Sequence, residues 1–308
     1  MPKVTTNGAR PAKMKHYKRG DVIAGFCFIA PPIIGFILFS LIPLCFSLVM
    51  SFNQYDFFTG DMIPVGFYYY AQAFTDPIFG RSLLNILIAL AGLLVQIAIT
   101  LGIAWLLCYD VKGQVLFRVL FFIPSMCSSV AVTMVWKWVY NTDFGILNDL
   151  LGLFGVGKVA WLTDQKIVMI SMVLQGIWMG IGGGMVMYIA ALKNAPSQYY
   201  EAAEIDGANS WQQFLHVTVP IISPTTFYIL ITSMIGTMQD FTRYRLMTDG
   251  GPNNASMTPV LYIYQIAFSA AYDYQYSYAT TLSWLLGILI VALVGIQFKT
   301  SKWVHYND

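Results

Sequence analysis

Ser233, Thr237 and Asp240 stand at i, i+4 and i+7 in an otherwise apolar stretch, so a helix there carries two hydroxyls and a carboxylate on one face. Such a face can hydrogen-bond a hydroxyl-rich ligand or hold a coupling ion. Serine and threonine also bond back to their own helix, so the hydroxyls alone decide little. The carboxylate weighs more, because an ionisable group inside an apolar span is costly and faces a cavity or a partner. Arg243 lies one turn away, and a local ion pair and a ligand contact are equal alternatives for Asp240. Gly176, Gly180 and Gly184 form a second pattern at i, i+4 and i+8, with Gly182 and Gly183 between them. Close helix packing is the stronger reading of that ladder, and space cleared for a substrate is the other. Ser125, Ser128 and Ser129 follow Pro124 in a further apolar stretch.

Little else in the chain suggests chemistry. Cys27, Cys45, Cys108 and Cys127 all fall in apolar stretches with no C-x-x-C pair, and read as small apolar fillers. His16, His216 and His305 are far apart and assemble no metal-ligand cluster. No G-x-x-x-x-G-K-[ST] occurs, so the usual phosphate-cradling loop of an ATPase is missing. No nucleophile can be paired with a base. The expectation is a chain that is not an enzyme and holds no metal or cofactor of its own. A net charge of +2 is too small to argue for nucleic acid.

The elements that must position these residues are membrane spans. The 308 residues are 57% hydrophobic and only 10% charged, against about a quarter charged in soluble proteins. Lipid satisfies no backbone polar group, so a crossing takes a helix of about 20 mainly apolar residues. Six stretches qualify, at 22–51, 82–109, 116–140, 167–192, 221–241 and 277–298, which predicts an all-α membrane protein with six transmembrane helices. The first is too long for the apolar region of a signal peptide, so a retained span is expected. Its Pro31, Pro32 and Pro43 predict a kink or a start along the interface.

With the N-terminus inside, cytoplasmic segments hold eleven Lys and Arg, six of them at Lys3, Arg10, Lys13, Lys15, Lys18 and Arg19, and the outer segments hold six. That bias predicts both termini in the cytoplasm. The organisation is then a basic N-terminus at 1–21, a six-span domain at 22–298 containing a cytoplasmic loop at 194–220, and a cytoplasmic tail at 299–308. The outer loops at 53–81, 141–166 and 242–276 are rich in Gly, Asp, Asn and Tyr. Tyr272, Tyr274, Tyr276 and Tyr278 alternate at the period of a strand, but read better as an aromatic belt at the membrane surface, because a lone strand would have no partner.

The loop at 194–220 reads as two short helices. Pro196 suits the first turn of one, Glu201, Ala202, Ala203 and Glu204 favour it, and Gly207 is placed to end it with positive φ. Ser210 and Gln213 predict a capping box for the second, and Pro220 and Pro224 mark the start of the fifth span. A compact helical pair between two spans suits a docking element, with an amphipathic connection on the membrane as the equal alternative. A DNA-binding helix-turn-helix is disfavoured, because no basic face is present.

These residues resemble a family. Glu201-Ala202-Ala203, Asp206-Gly207-Ala208, Phe214 and Pro220 are similar to the "EAA" loop of permease subunits of ABC importers. Asp249-Gly250-Gly251-Pro252 and Leu261-Tyr262-Ile263-Tyr264 resemble the carbohydrate branch, in particular the first permease of maltose-type systems, over about the last two-thirds of the chain. The chain departs from that prototype in lacking two additional N-terminal spans and a large outer domain. The resemblance implies a type I ABC importer permease fold in the bacterial inner membrane. It also implies half of a sugar-translocating pore, paired with a second homologous permease, two ATPase subunits that bind ATP and Mg, and an extracytoplasmic sugar-binding protein. Glu201, Ala202, Ala203, Asp206 and Gly207 would couple to an ATPase subunit. The substrate path would include Ser125, Ser129, Met179, Gly180, Gly183, Ser233, Thr237 and Asp240. Maltose itself is not implied, since an aromatic is missing at Ser125 and Gly183 and an amide is replaced at Asp240. The aspartate would disfavour an acidic sugar unless Arg243 neutralises it. An ion-coupled secondary transporter, with Asp240 as coupling carboxylate, and a membrane scaffold are the other readings; the former lacks an inverted repeat.

Overall fold

The computed structural model describes residues 19–56, 59–109 and 112–304. Lys3, Arg10, Lys13, Lys15, His16 and Lys18 of the basic N-terminus, and His305 with the end of the tail, lie outside the described residues. The chain divides into two compact units, residues 1–49 and 50–308.

In the first unit, α1 (Arg19–Phe36) runs through Pro31 and Pro32 and passes into a π-helical segment at Ile37–Leu41, followed by α2 (Ile42–Ser51). The irregularity expected from the prolines therefore takes the form of a widened turn. A proline ring collides with the carbonyl four residues back in a regular helix, and the π segment lies directly ahead of Pro43, where wider winding relieves that contact. Phe28 and Phe39 are each 83% exposed, as suits a helix bathed in lipid rather than water.

The second unit is built on α4 (Pro77–Leu106), α8 (Val168–Lys193) and α15 (Tyr276–Thr300). Two expected spans are not single helices. The stretch 116–140 is α5 (Gln114–Met126) and α6 (Ser129–Val139), which meet at 103°. Pro124 closes the first, and Cys127 caps it with extended backbone. The stretch 221–241 is α12 (Ser223–Met238), set at 66° to the helical segment Ser210–Ile221. Four apolar helices are each long enough to cross, and counting each bent pair as one span brings the crossings to six among the described residues.

Glycine decides how α8 packs. A side chain at Gly184 would press on Thr100 of α4 (3.0 Å), and one at Gly182 would lie 2.6 Å from the Phe121 carbonyl oxygen of α5. Helix faces approach this closely only where one side carries no side chain.

The connecting loops also have structure. An antiparallel hairpin pairs β1 (Asn53–Tyr55) with β2 (Met62–Pro64), Tyr55 facing Met62. Next come α3 (Tyr68–Thr75), α7 (Ile146–Leu153), α13 (Thr242–Met247) and α14 (Pro259–Phe268). The tyrosine alternation forms no strand: Tyr272 ends a 3-10 turn, and Tyr276 and Tyr278 open α15.

Asp76 ties three of these elements together. It caps α4 by accepting from the backbone N–H groups of Ile78 (2.8 Å) and Phe79 (3.1 Å). Its other oxygen accepts from the hydroxyls of Tyr262 on α14 and Tyr278 on α15, both at 2.7 Å. Partial burial opposes the charge, but the hydrogen bonds from Tyr278, Tyr262 and the two backbone groups outweigh it and hold the carboxyl below the usual carboxylate range. Burial, and after it the Asp76 carboxylate, pushes the Tyr262 hydroxyl above the ordinary phenol range, so it remains a donor.

Replacing Asp76 by alanine strands two hydroxyls and uncaps α4. We expect a stability loss of about 2 kcal/mol, read as a lower unfolding temperature in lipid nanodiscs. Because the folded pKa lies below the unfolded one, the wild-type contribution is full above about pH 3.9 and is lost as pH falls further. Unfolding of Asp76→Asn should lack that component of the acid sensitivity.

Candidate substrate cavity and docking loop

A cavity of about 440 Å³ opens between α4, α6, α8, α12 and the turn that leads into α13. Six sequence-predicted positions line it: Ser129 at the start of α6, Met179 and Gly180 on α8, Ser233 and Thr237 on α12, and Asp240 just beyond. Ser125 and Gly183 do not. The Ser125 hydroxyl donates to the Phe122 carbonyl at 2.7 Å and sits against Gly182, within the α5–α8 contact. Gly183 faces open space.

Asp240 and Arg243 form an ion pair at 2.7 Å, with side chains only 25% and 13% exposed. Arg243 also donates to the Met172 carbonyl of α8 at 3.1 Å. Its guanidinium occupies the place a side chain at Gly176 would need, and the Gln96 amide does the same at Gly180. The ladder therefore serves several contacts: Gly182 and Gly184 admit neighbouring helices, while Gly176 and Gly180 admit polar side chains at the cavity wall. The pair also neutralises Asp240 locally, which removes the like-charge argument against an acidic sugar. The polar groups on the wall are hydroxyls, the amides of Gln96 and Gln239, and a neutralised pair, set among apolar side chains such as Leu93, Ile177 and Phe241. That set suits hydrogen-bonding ligands, which need replacements for water.

Gln96 and Thr133 are cavity residues that sequence reasoning passed over. A polar side chain within an apolar span was the available signal for both. Which way each faces depends on the packing of α4 against α8 and on the break between α5 and α6.

The loop between α8 and α12 is a helical pair. The first helix, α9 (Ser197–Ile205), begins just after Pro196 and carries Glu201, Ala202 and Ala203. Gly207 ends it at φ 79°. The Gly207 N–H bonds the Glu204 carbonyl and the Ala208 N–H bonds the Ala203 carbonyl, which together satisfy the last turn. The capping box expected at Ser210 and Gln213 lies one residue earlier. Asn209 caps α10 (Ser210–Gln213), with Asn209 Oδ1 accepting from the Gln212 N–H at 2.9 Å and Gln212 Oε1 from the Asn209 N–H at 2.8 Å. Asparagine is at least as good a cap as serine, and the extended backbone falls at Asn209.

A π segment, Phe214–Thr218, then precedes Pro220, as another precedes Pro43. The loop is held to the bundle by Phe214 against Trp105 of α4 at 4.7 Å, and Tyr200 Oη with Thr218 Oγ1 at 3.2 Å joins its two halves. Its other face is uncovered. Glu201 and Ala202 are exposed and Ile205 is 86% exposed. An apolar patch rimmed by carboxylates and amides marks a surface for another protein or for the membrane.

Apolar crossings, a cavity with polar groups between α4, α6, α8 and α12, and an uncovered helical loop define a membrane transport permease. The chain belongs to the family of binding-protein-dependent transport system inner membrane components, which residues 97–300 match. It is 36% identical to the probable ABC transporter permease protein YesP of Bacillus subtilis (strain 168), over 99% of each chain. It is 32% identical to the lactose transport system permease protein LacF of Rhizobium radiobacter, over 92% of this chain and 96% of that one. The fold is that of a chain in a bacterial alginate ABC transporter solved with a periplasmic protein carrying an alginate pentasaccharide. That match has a TM-score of 0.79 at 22% identity and covers 91% of this chain and 94% of the other.

Two substitution sets test the packing. Gly182→Ala must displace the Phe121 backbone and should cost about 1–3 kcal/mol, whereas Gly183→Ala should be neutral; thermal unfolding in nanodiscs separates them. Arg243→Met leaves a half-buried carboxylate unpaired and should destabilise by about 3 kcal/mol. Adding Asp240→Asn should recover much of that loss, measured as a double-mutant cycle.

Proposed function

We propose that the chain is the permease subunit of an ATP-driven importer of sugars, most consistent with oligosaccharides, and that it forms half of the translocation pore. The observation that carries this reading is the uncovered helical pair standing directly between α8 and α12, the helices that line the polar cavity. A secondary transporter has no need of such a surface. Likeness over nearly the full length to a lactose permease, and a fold shared with an alginate importer, support a carbohydrate as cargo.

In this reading, Glu201, Ala202, Ala203, Asp206 and Gly207 meet a separate ATPase subunit. Ala202 and Ala203 allow close approach of a groove, and Gly207 sets the angle between the two helices. Two such subunits bind ATP and Mg, and their closure moves the loop. A second homologous permease completes the pore, and an extracytoplasmic sugar-binding protein delivers the cargo, as the periplasmic protein in the alginate system suggests. Both termini lie in the cytoplasm and the chain spans the inner membrane. Within the cavity, Ser129, Ser233 and Thr237 offer hydroxyls to the sugar, and Met179 and Gly180 shape its wall. Asp240 contacts the sugar through whichever lone pairs Arg243 leaves open. Ser125 and Gly183, off the cavity in this structure, join the path only if α5 and α8 separate.

Uptake into proteoliposomes holding the assembled importer, with ATP enclosed and the sugar-binding protein outside, should require ATP and persist with a proton uncoupler; uptake that collapses with the uncoupler and ignores ATP would replace this reading with the secondary transporter. Glu201→Ala and Gly207→Pro should lower uptake about tenfold, equivalent to about 1.4 kcal/mol of docking, at matched membrane abundance and with ATPase activity persisting. Normal uptake in both would sink the docking assignment.

A further inference from the structure

We propose that a second carbohydrate site, apart from the cavity beside α12, lies in the cleft framed by β1, α3 and the turn that opens α15. The inference rests on the importer reading above, which puts this end of the helices outside the cell. The cleft measures about 550 Å³, within the range of small-molecule sites, and shares no lining residue with the other cavity. It is framed by fixed elements: the Tyr55 N–H bonds Ser277 Oγ at 2.9 Å, pinning the hairpin to α15.

Its chemistry is that of a surface for sugars. Tyr68 and Tyr69 of α3 present rings edge to face, 5.4 Å apart. Tyr274 faces them from the turn, and it and Asp273 both hold left-handed backbone, φ 51° and 52°. A side-chain-bearing residue adopts that conformation at a cost, and a bulky aromatic more so. The strain therefore places a 42% exposed ring at the cleft where a glycine would suit the backbone better.

The amides of Gln54, Gln72 and Gln275 also line the cleft and make no hydrogen bond to the protein among the described residues. Each offers a carbonyl acceptor and an NH2 donor. Flat rings with polar tips match the C–H face of a sugar ring, and free amides match its hydroxyl rim.

Charge narrows the ligand class. Asp56 and Asp273 line the cleft, and among the described residues no lysine or arginine does. An acidic or phosphorylated sugar would meet like-charge repulsion there. A quaternary ammonium would use the rings and carboxylates but leave the three amides unused. A neutral oligosaccharide uses all of them.

The test is saturation-transfer NMR on the full chain in lipid nanodiscs, with lactose, arabinotriose and diacetylchitobiose as probes. We expect saturable binding of at least one sugar, weakened about tenfold by Tyr274→Gly, which keeps the turn's backbone, and by Gln72→Ala. Blocking the other cavity with Thr237→Leu should leave this signal in place. No binding of any probe overturns the site, as does binding that survives both cleft variants and vanishes in Thr237→Leu. Binding of tetramethylammonium with none of the sugars also overturns it. So does loss of capture of the sugar-free binding protein in the cleft variants with sugar binding unchanged, which makes the cleft a protein-docking surface. ATP-dependent uptake by the assembled importer is measured in parallel. Uptake without cleft binding sinks only the cleft, and cleft binding without uptake supports the cleft and sinks the importer reading.

Discussion

Hydrocarbon offers no partner to a backbone N–H or C=O, so a chain crossing it must stay helical except where protein or a polar cavity answers the freed groups. The irregular backbone of this chain obeys that constraint. The break at Cys127 and Ser128 delivers Ser129 to the cavity wall, and the turn after Met238 gathers Gln239, Asp240 and Arg243 at the same cavity. Ahead of Pro43, which has no cavity beside it to use, the helix widens instead of breaking. Breaks and polar residues thus coincide, and their coincidence makes the cavity.

The glycines of α8 apply the same economy along a single helix. A helix with side chains at these positions could not lie this close to Phe121 and Thr100. Nor could it admit the guanidinium of Arg243, whose pairing with Asp240 makes a charged turn tolerable in apolar surroundings. The Met172 carbonyl gives Arg243 a second acceptor, which fixes α13 against α8. A carboxylate in a span therefore need not be a ligand contact or a coupling group to be accounted for.

The helical loop between α8 and α12 and the cavity are joined by short covalent paths. α10 runs through the π segment and Pro220 into α12 across a 66° bend, and α12 carries Ser233 and Thr237. On the other side, Asn194 to Pro196 separate α9 from α8, which carries Met179 and Gly180. The Trp105 and Phe214 contact ties the loop to α4 as well. A force on the exposed face of α9 thereby reaches three of the helices around the cavity through packed aromatic and helical elements.

Much of this was legible in the residues. Apolar runs of the length a bilayer demands located the crossings, because lipid leaves so few alternatives. Gly207 announced the helix end, because few residues take positive φ readily. The spacing of Ser233, Thr237 and Asp240 announced a polar face, since helical geometry is periodic. Other features were partly legible: Asp76 before Pro77 is a recognisable cap, but its bonds to Tyr262 and Tyr278, some 190 residues on, are not. The 103° break, the shift of the capping box to Asn209 and the exclusion of Ser125 and Gly183 from the cavity were decided by packing. Local sequence sets where a helix can form and which side is polar. Which polar side meets which neighbour, and whether Arg243 or a ligand answers Asp240, depends on contacts between segments far apart in the chain, and only the tertiary structure brings those together.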